Sequence, residues 1–147
     1  MRRGLRRFGG FTLALLAFSC SATGAGKLSI DNAWIRTPPP GMRMLAGYAL
    51  LHNAGDASVA VTAAASADFG SASLHESSAR DGVERMRPVD RVEIAAGASV
   101  TLAPGGMHLM LMQPRRELKA GDRVAVRLRT AEGMDVEADF VVRDDAP

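Results

Sequence analysis

Three histidines and eight methionines carry the chemistry that stands out in this sequence of 147 residues. In GGMHLMLMQ (105–113), a strand leaving a glycine turn sends successive side chains to opposite faces. His108 and Met110 therefore share one face, while Leu109 and Leu111 turn towards a core. An imidazole and a thioether then lie side by side. His75 follows the strand-like run SASL (71–74), and Met86 lies beyond the turn RDGVER (80–85) in a segment that can fold back across the strand ends. Imidazole alone serves zinc, nickel or Cu(II) equally well, whereas the soft, neutral thioether favours Cu(I). No Ser/His/Asp grouping with recognisable context and no nucleotide-binding loop is present, so the sequence gives no reason to expect an enzyme.

The placement of these residues resembles the periplasmic PCu(A)C-type copper chaperones. Their motif is a histidine, ten residues, a methionine, twenty-one residues, then His-x-Met, and His75, Met86, His108 and Met110 meet each of those spacings. The similarity continues through AWIR (33–36), GYALLHN (47–53) and PGGMHLML (104–111). The resemblance implies that His75, Met86, His108 and Met110 ligate Cu(I) on a cupredoxin-like fold. It also implies delivery of the ion to a copper-accepting protein, the CuA centre in cytochrome c oxidase subunit II. All four ligands are neutral when bound, so the loaded site carries only +1, which costs less to hold in a partly apolar setting than a dication. The chain ends in RDDAP, without the histidine- and methionine-rich extension of some relatives. One Cu(I) per chain is expected.

Many short strands must position such a site. Turn chemistry recurs at TPPPG (37–41), NAGD (53–56), RDG (80–82), AAG (95–97), PGG (104–106), KAGD (119–122) and AEG (131–133), a spacing that suggests a sandwich or barrel. Val124, Val126 and Leu128 alternate with Arg123, Arg127 and Arg129, and after the turn Met134, Val136, Ala138, Phe140 and Val142 alternate with Asp135, Glu137 and Asp139. That pattern predicts a hairpin with arginines facing acids on its solvent side. Further strands are expected over 27–36, 46–52, 58–64, 71–76, 91–94, 98–102 and 107–112. The expected fold is all-β, a cupredoxin-like Greek-key β-sandwich or barrel. Its ligands should lie at one end and be partly exposed, since a carrier releases its ion by ligand exchange.

Residues 1–25 read as a secretory signal peptide: MRRGLRR, the apolar run FTLALLAF, then small residues. Cleavage is expected after Ala22 or Ala25, leaving one domain over 26–147 in the periplasm, and AFSC also offers Cys20 as a lipid-modified first residue. Beyond the signal, no apolar run is long enough for a transmembrane helix. Loss of Arg2, Arg3, Arg6 and Arg7 turns the formal charge of +2 into −2. A weakly acidic domain with interspersed charges has no electrostatic footprint for nucleic acid. A monomer is expected. Cys20 is the only cysteine, so the mature domain forms no internal disulfide and no thiolate blue-copper site.

The remaining candidates receive plainer readings. Met107, Met112 and Met134 are expected as core filler, and His52 as a surface or satisfied interior residue. Met42 and Met44 are read as loop filler, with assistance in metal capture as the alternative. Glu76 either orients His75 or is solvated. Trp34 and Tyr48 are expected as core or rim aromatics. Two other functions stay open: a periplasmic copper buffer or tolerance protein, and a structural sandwich module without metal.

Overall fold

The computed structural model describes residues 27–146. The signal peptide, both cleavage sites and Cys20 lie outside the described residues. Ten strands follow one another: β1 (Leu28–Arg36), β2 (Met44–Asn53), β3 (Val59–Ala65), β4 (Phe69–Arg80), β5 (Val83–Pro88), β6 (Val92–Ile94), β7 (Ser99–Leu102), β8 (Met107–Pro114), β9 (Arg123–Thr130) and β10 (Asp135–Arg143). Neighbouring strands run β4-β8-β2-β1-β10-β9-β3, and the Ala64–Ala72 pairing of β3 with β4 closes that path into a barrel. Closure removes the unpaired edges that an open sheet would expose. The β1–β10 pairing is parallel, so the first and last strands of the described residues lie side by side. The shorter β5, β6 and β7 attach to β4, β3 and β2. The architecture is the all-β barrel that the turn spacing predicts, of the cupredoxin-like kind that the family resemblance implies.

Alternation decides what goes inside. Leu45, Leu74, Leu109, Leu111, Val124, Val126, Leu128, Phe140 and Val142 fill the barrel core, with Ile35, Leu51 and Phe69. Each such side chain contributes roughly 1.5–3 kcal/mol by leaving water. The β9–β10 hairpin forms as expected, and its solvent face carries the ion pairs Arg129–Asp135, Arg127–Glu137 and Arg123–Asp139. These exposed pairs favour the register more than they stabilise the fold.

Two elements differ from the sequence expectation. Strand β4 extends to Arg80 rather than ending near residue 76, and β5 was not anticipated. Both follow from the turn between them. Asp81 and Gly82 have φ of 55° and 73°, the left-handed pair required by a two-residue hairpin turn whose twist matches its strands. β4 therefore continues straight into a hairpin with β5.

Asn53 is fully buried and was not singled out by sequence. Its amide nitrogen donates to the carbonyls of Ala57, Ile94 and Ala95, and its carbonyl oxygen accepts from the Gly55 N–H. It ties the end of β2 to the turn after β6. Asn53→Ala should cost about 2–4 kcal/mol, because buried carbonyls lose their donor. Asn53→Asp should cost at least as much, since it turns an acceptor towards those carbonyls. Urea unfolding at unchanged m-value reads both, and a loss below about 1 kcal/mol would show that these bonds carry little.

Candidate metal centre

The register of four adjacent strands, β5-β4-β8-β2, places the candidate residues. His75 on β4 is paired with His108 on β8, and Ser73 with Met110. Across the hairpin Ser77 is paired with Met86, and on the other side Met110 is paired with Ala46 of β2. Directly paired residues share a face, as do residues two apart. His75, Met86, His108 and Met110 consequently stand on one face, opposite to Leu74, Leu109 and Leu111. They occupy the outer wall of the barrel beside the β4–β5 hairpin, not a cluster of loops at one end. The expectation of a site at an end is corrected in that respect. It follows from the alternation that fills the core, because a residue between two inward leucines must point out.

The wall is not uniformly exposed. His108 is 4 % exposed, His75 and Met110 are half-buried, and Met86 is 49 % exposed. The His75 and His108 rings lie with centroids 6.1 Å apart and planes inclined by 25°. Two imidazoles ligating one ion through bonds of about 2 Å place their centroids roughly 5 to 6.5 Å apart, so this separation fits a shared ion. A cleft of about 240 Å³ opens beside the group and is lined by Met86, His108 and Met110, though not by His75, together with Met44, Ala46, Tyr48 and the 36–39 segment. Among the described residues no three of His, Cys, Asp and Glu gather as metal ligands, and Met86 and Met110 are the candidate thioethers on the face that carries the two imidazoles.

Hydrogen bonds orient the rings. Nδ1 of His108 lies 3.1 Å from the Gly106 carbonyl oxygen, which can only accept, so Nδ1 carries the proton and the neutral ring presents Nε2 as its free donor. The same carbonyl accepts the backbone N–H of Ser77, which fixes β4 against the turn before β8. Nδ1 of His75 lies 3.4 Å from the Ser73 hydroxyl. Burial, and secondarily the nearby His108, lower the pKa of His75 below the ordinary imidazole value. A lowered pKa keeps the ring neutral, and so able to ligate, into mild acid. Tyr48 packs with its ring 6.4 Å from His108 and 4.7 Å from Trp34, forming a buried wall on this outer face. Burial raises the pKa of its phenol, Arg36 opposing the effect, so it brings no negative charge to the cleft.

Other candidates fall out differently. Glu76 forms an ion pair with Arg87 of β5 and alternates to the opposite face from His75, so the hydroxyl of Ser73 and not a carboxylate neighbours that imidazole. Met107 and Met134 pack against the core as expected, but Met112 is 37 % exposed, on the same face as Met110. His52 meets the Ser99 hydroxyl on the surface, away from the cleft. Tyr48 borders the cleft, within the core-or-rim expectation; that it stands beside His108 and Trp34 carried no sequence signal without the register.

Comparison with known proteins shows which family and which fold the chain shares. The family model for LpqE-like proteins, described as lipoproteins, matches residues 28–142. Lxx21020 of Leifsonia xyli subsp. xyli, named as a lipoprotein, is 31% identical over 140 residues, covering 92% of this chain and 83% of its own length. Among solved structures, the apo PCuAC domain from PmoF1 is similar at 30% identity and a TM-score of 0.67, over 83% of this chain and 96% of that domain. The copper-bound PCuAC domain from PmoF2 is similar at 27% and 0.67, over 83% and 95%. The Cu(I) form of DR1885 from Deinococcus radiodurans, solved in solution, is similar at 27% and 0.67, over 88% and 86%.

Proposed function

The chain belongs to the LpqE-like family of PCuAC-type copper chaperones, and from that premise we propose that it carries one Cu(I) between His75, Met86, His108 and Met110 and delivers it outside the cytoplasm. One observation carries the reading. Two imidazoles at a separation suited to a shared ion stand on an outward face where their neighbouring donors are thioethers. Such a set is soft and neutral, and it selects Cu(I) over zinc by its sulfur donors. Partial exposure suits transfer, since a partner's ligands can approach Met86 while the buried His108 still holds the ion.

The signal-like residues 1–25 support export to the periplasm, and relatives named as lipoproteins support Cys20 as a lipid anchor. The recipient that fits the family resemblance is the CuA centre of cytochrome c oxidase subunit II. Native mass spectrometry of the protein loaded with Cu(I) under reductant should show a single adduct, and mixing with an apo CuA domain should move that copper to the acceptor. Retention of copper in the presence of the acceptor would identify a buffer instead. No stoichiometric adduct would leave only a structural barrel.

A further inference from the structure

Among the described residues, the large apolar side chains that remain exposed are Met42, Met44, Met86, Met112 and Val83. Four of those five are methionines, whereas the described leucines and phenylalanines are almost completely enclosed. Packing does not require thioethers there. Met44 and Met112 are directly paired across β2 and β8. The Gln113 N–H donates to the Arg43 carbonyl, so residues 43 and 113 form the hydrogen-bonded pair and the next pair, 44 and 112, is of the closer type. In that type the Cα atoms lie about 4.5 Å apart. Two flexible thioethers side by side can converge on one soft ion.

The pair also lies in line with the four candidate ligands. Met110 is two residues along β8 from Met112, roughly 7 Å at the rise of a strand. Ala46, Ser71 and Ser73, on the same face of the flanking strands, put no bulk between them. Met44 itself lines the cleft with Met86, His108 and Met110. We propose that Met44 and Met112 form a second, weaker Cu(I)-binding station at the open side of this cleft, from which the ion steps to and from Met110 by exchange of one thioether for another. Its role as a step on the path rests on the four-ligand reading above; its ability to bind does not. Arg36 and Arg43, both exposed close by, disfavour a cation and keep the station weak, so it fills only after the first equivalent. It contains no histidine, so protons do not compete for it.

The test is a titration of the whole protein, labelled with 13C at its methionine methyl groups, with Ag(I) as a redox-inert soft probe and then with Cu(I) under reductant. The first equivalent should shift Met86 and Met110. The second should shift Met44 and Met112, to the same extent at about pH 7 and about pH 5. The exposed, volume-conserving variant Met44→Leu/Met112→Leu keeps the fold. It should bind the first equivalent unchanged, lose the second, and release copper to a chelator at least severalfold more slowly. If Met44 and Met112 shift no more than Met134 at two equivalents, or if the variant releases copper as fast as the wild type, the proposal is overturned. Shifts at Met44 and Met112 with none at Met86 and Met110 would instead overturn the four-ligand reading and leave the station standing as a binding site.

Discussion

Acidification is expected to weaken Cu(I) binding, by up to about a hundredfold per pH unit where release of the ion lets both imidazoles take up a proton. Protonated imidazole cannot ligate, and thioether has no proton to lose in this range, so the slope counts the histidine protons that copper must displace. The lowered pKa of His75 moves its share of the loss below the ordinary imidazole value of about 6.5. Affinity is therefore expected to be complete where the imidazoles are neutral and to be lost as pH falls. Above about pH 7.5 the curve should be flat. A chelator-competition series between about pH 4.5 and 8.5, corrected for protonation of the chelator, measures it. A level profile across the acid range would remove His75 and His108 from the ligand set, and continued tightening towards pH 8.5 would indicate a thiolate.

Removing a single thioether should have the second large effect. Met110→Ala is expected to weaken Cu(I) binding by about a hundredfold or more and to affect Cu(II) far less, because imidazole suits both oxidation states and thioether chiefly the lower one. Met86→Ala should act in the same direction. Met86 is 49 % exposed and Met110 points away from Leu109 and Leu111, so neither truncation opens a cavity in the core, and the urea midpoint should scarcely move. Affinity loss and stability are therefore separable in one pair of variants. Equal losses for Cu(I) and Cu(II), measured by competition with chelators for each ion, would count against thioether ligation.

The β9–β10 hairpin was legible because one of its faces is buried and the other is charged, which writes a period of two into the sequence. β5 was not, because every residue of VERMRP is exposed and nothing in it alternates. Its partner could be inferred only from the Asp81–Gly82 turn. The candidate site was legible through the inward Leu109 and Leu111, which force His108 and Met110 outward. That same alternation sends Met112 outward with them, and the general tendency of methionine to fill cores obscured a consequence already present in the register. Tyr48 and Asn53 act through partners far along the chain, Tyr48 beside His108 and Asn53 beneath Ile94 and Ala95. Pair contacts of that range leave no local periodicity to read.

The β4–β5 hairpin has a kinetic consequence. β5 is bonded to β4 alone, and all of its residues are exposed, whereas β8 is held between β4 and β2 in the wall of the closed barrel. Amide exchange should accordingly be fast along β5 and slow along β8, since segments with little buried contact open at a small fraction of the free energy of global unfolding. Fraying of this arm would detach Met86 while His108 and Met110 remained fixed by the barrel. Cargo release would then begin with a local opening event, at a rate set by the stability of one hairpin and not by that of the whole protein.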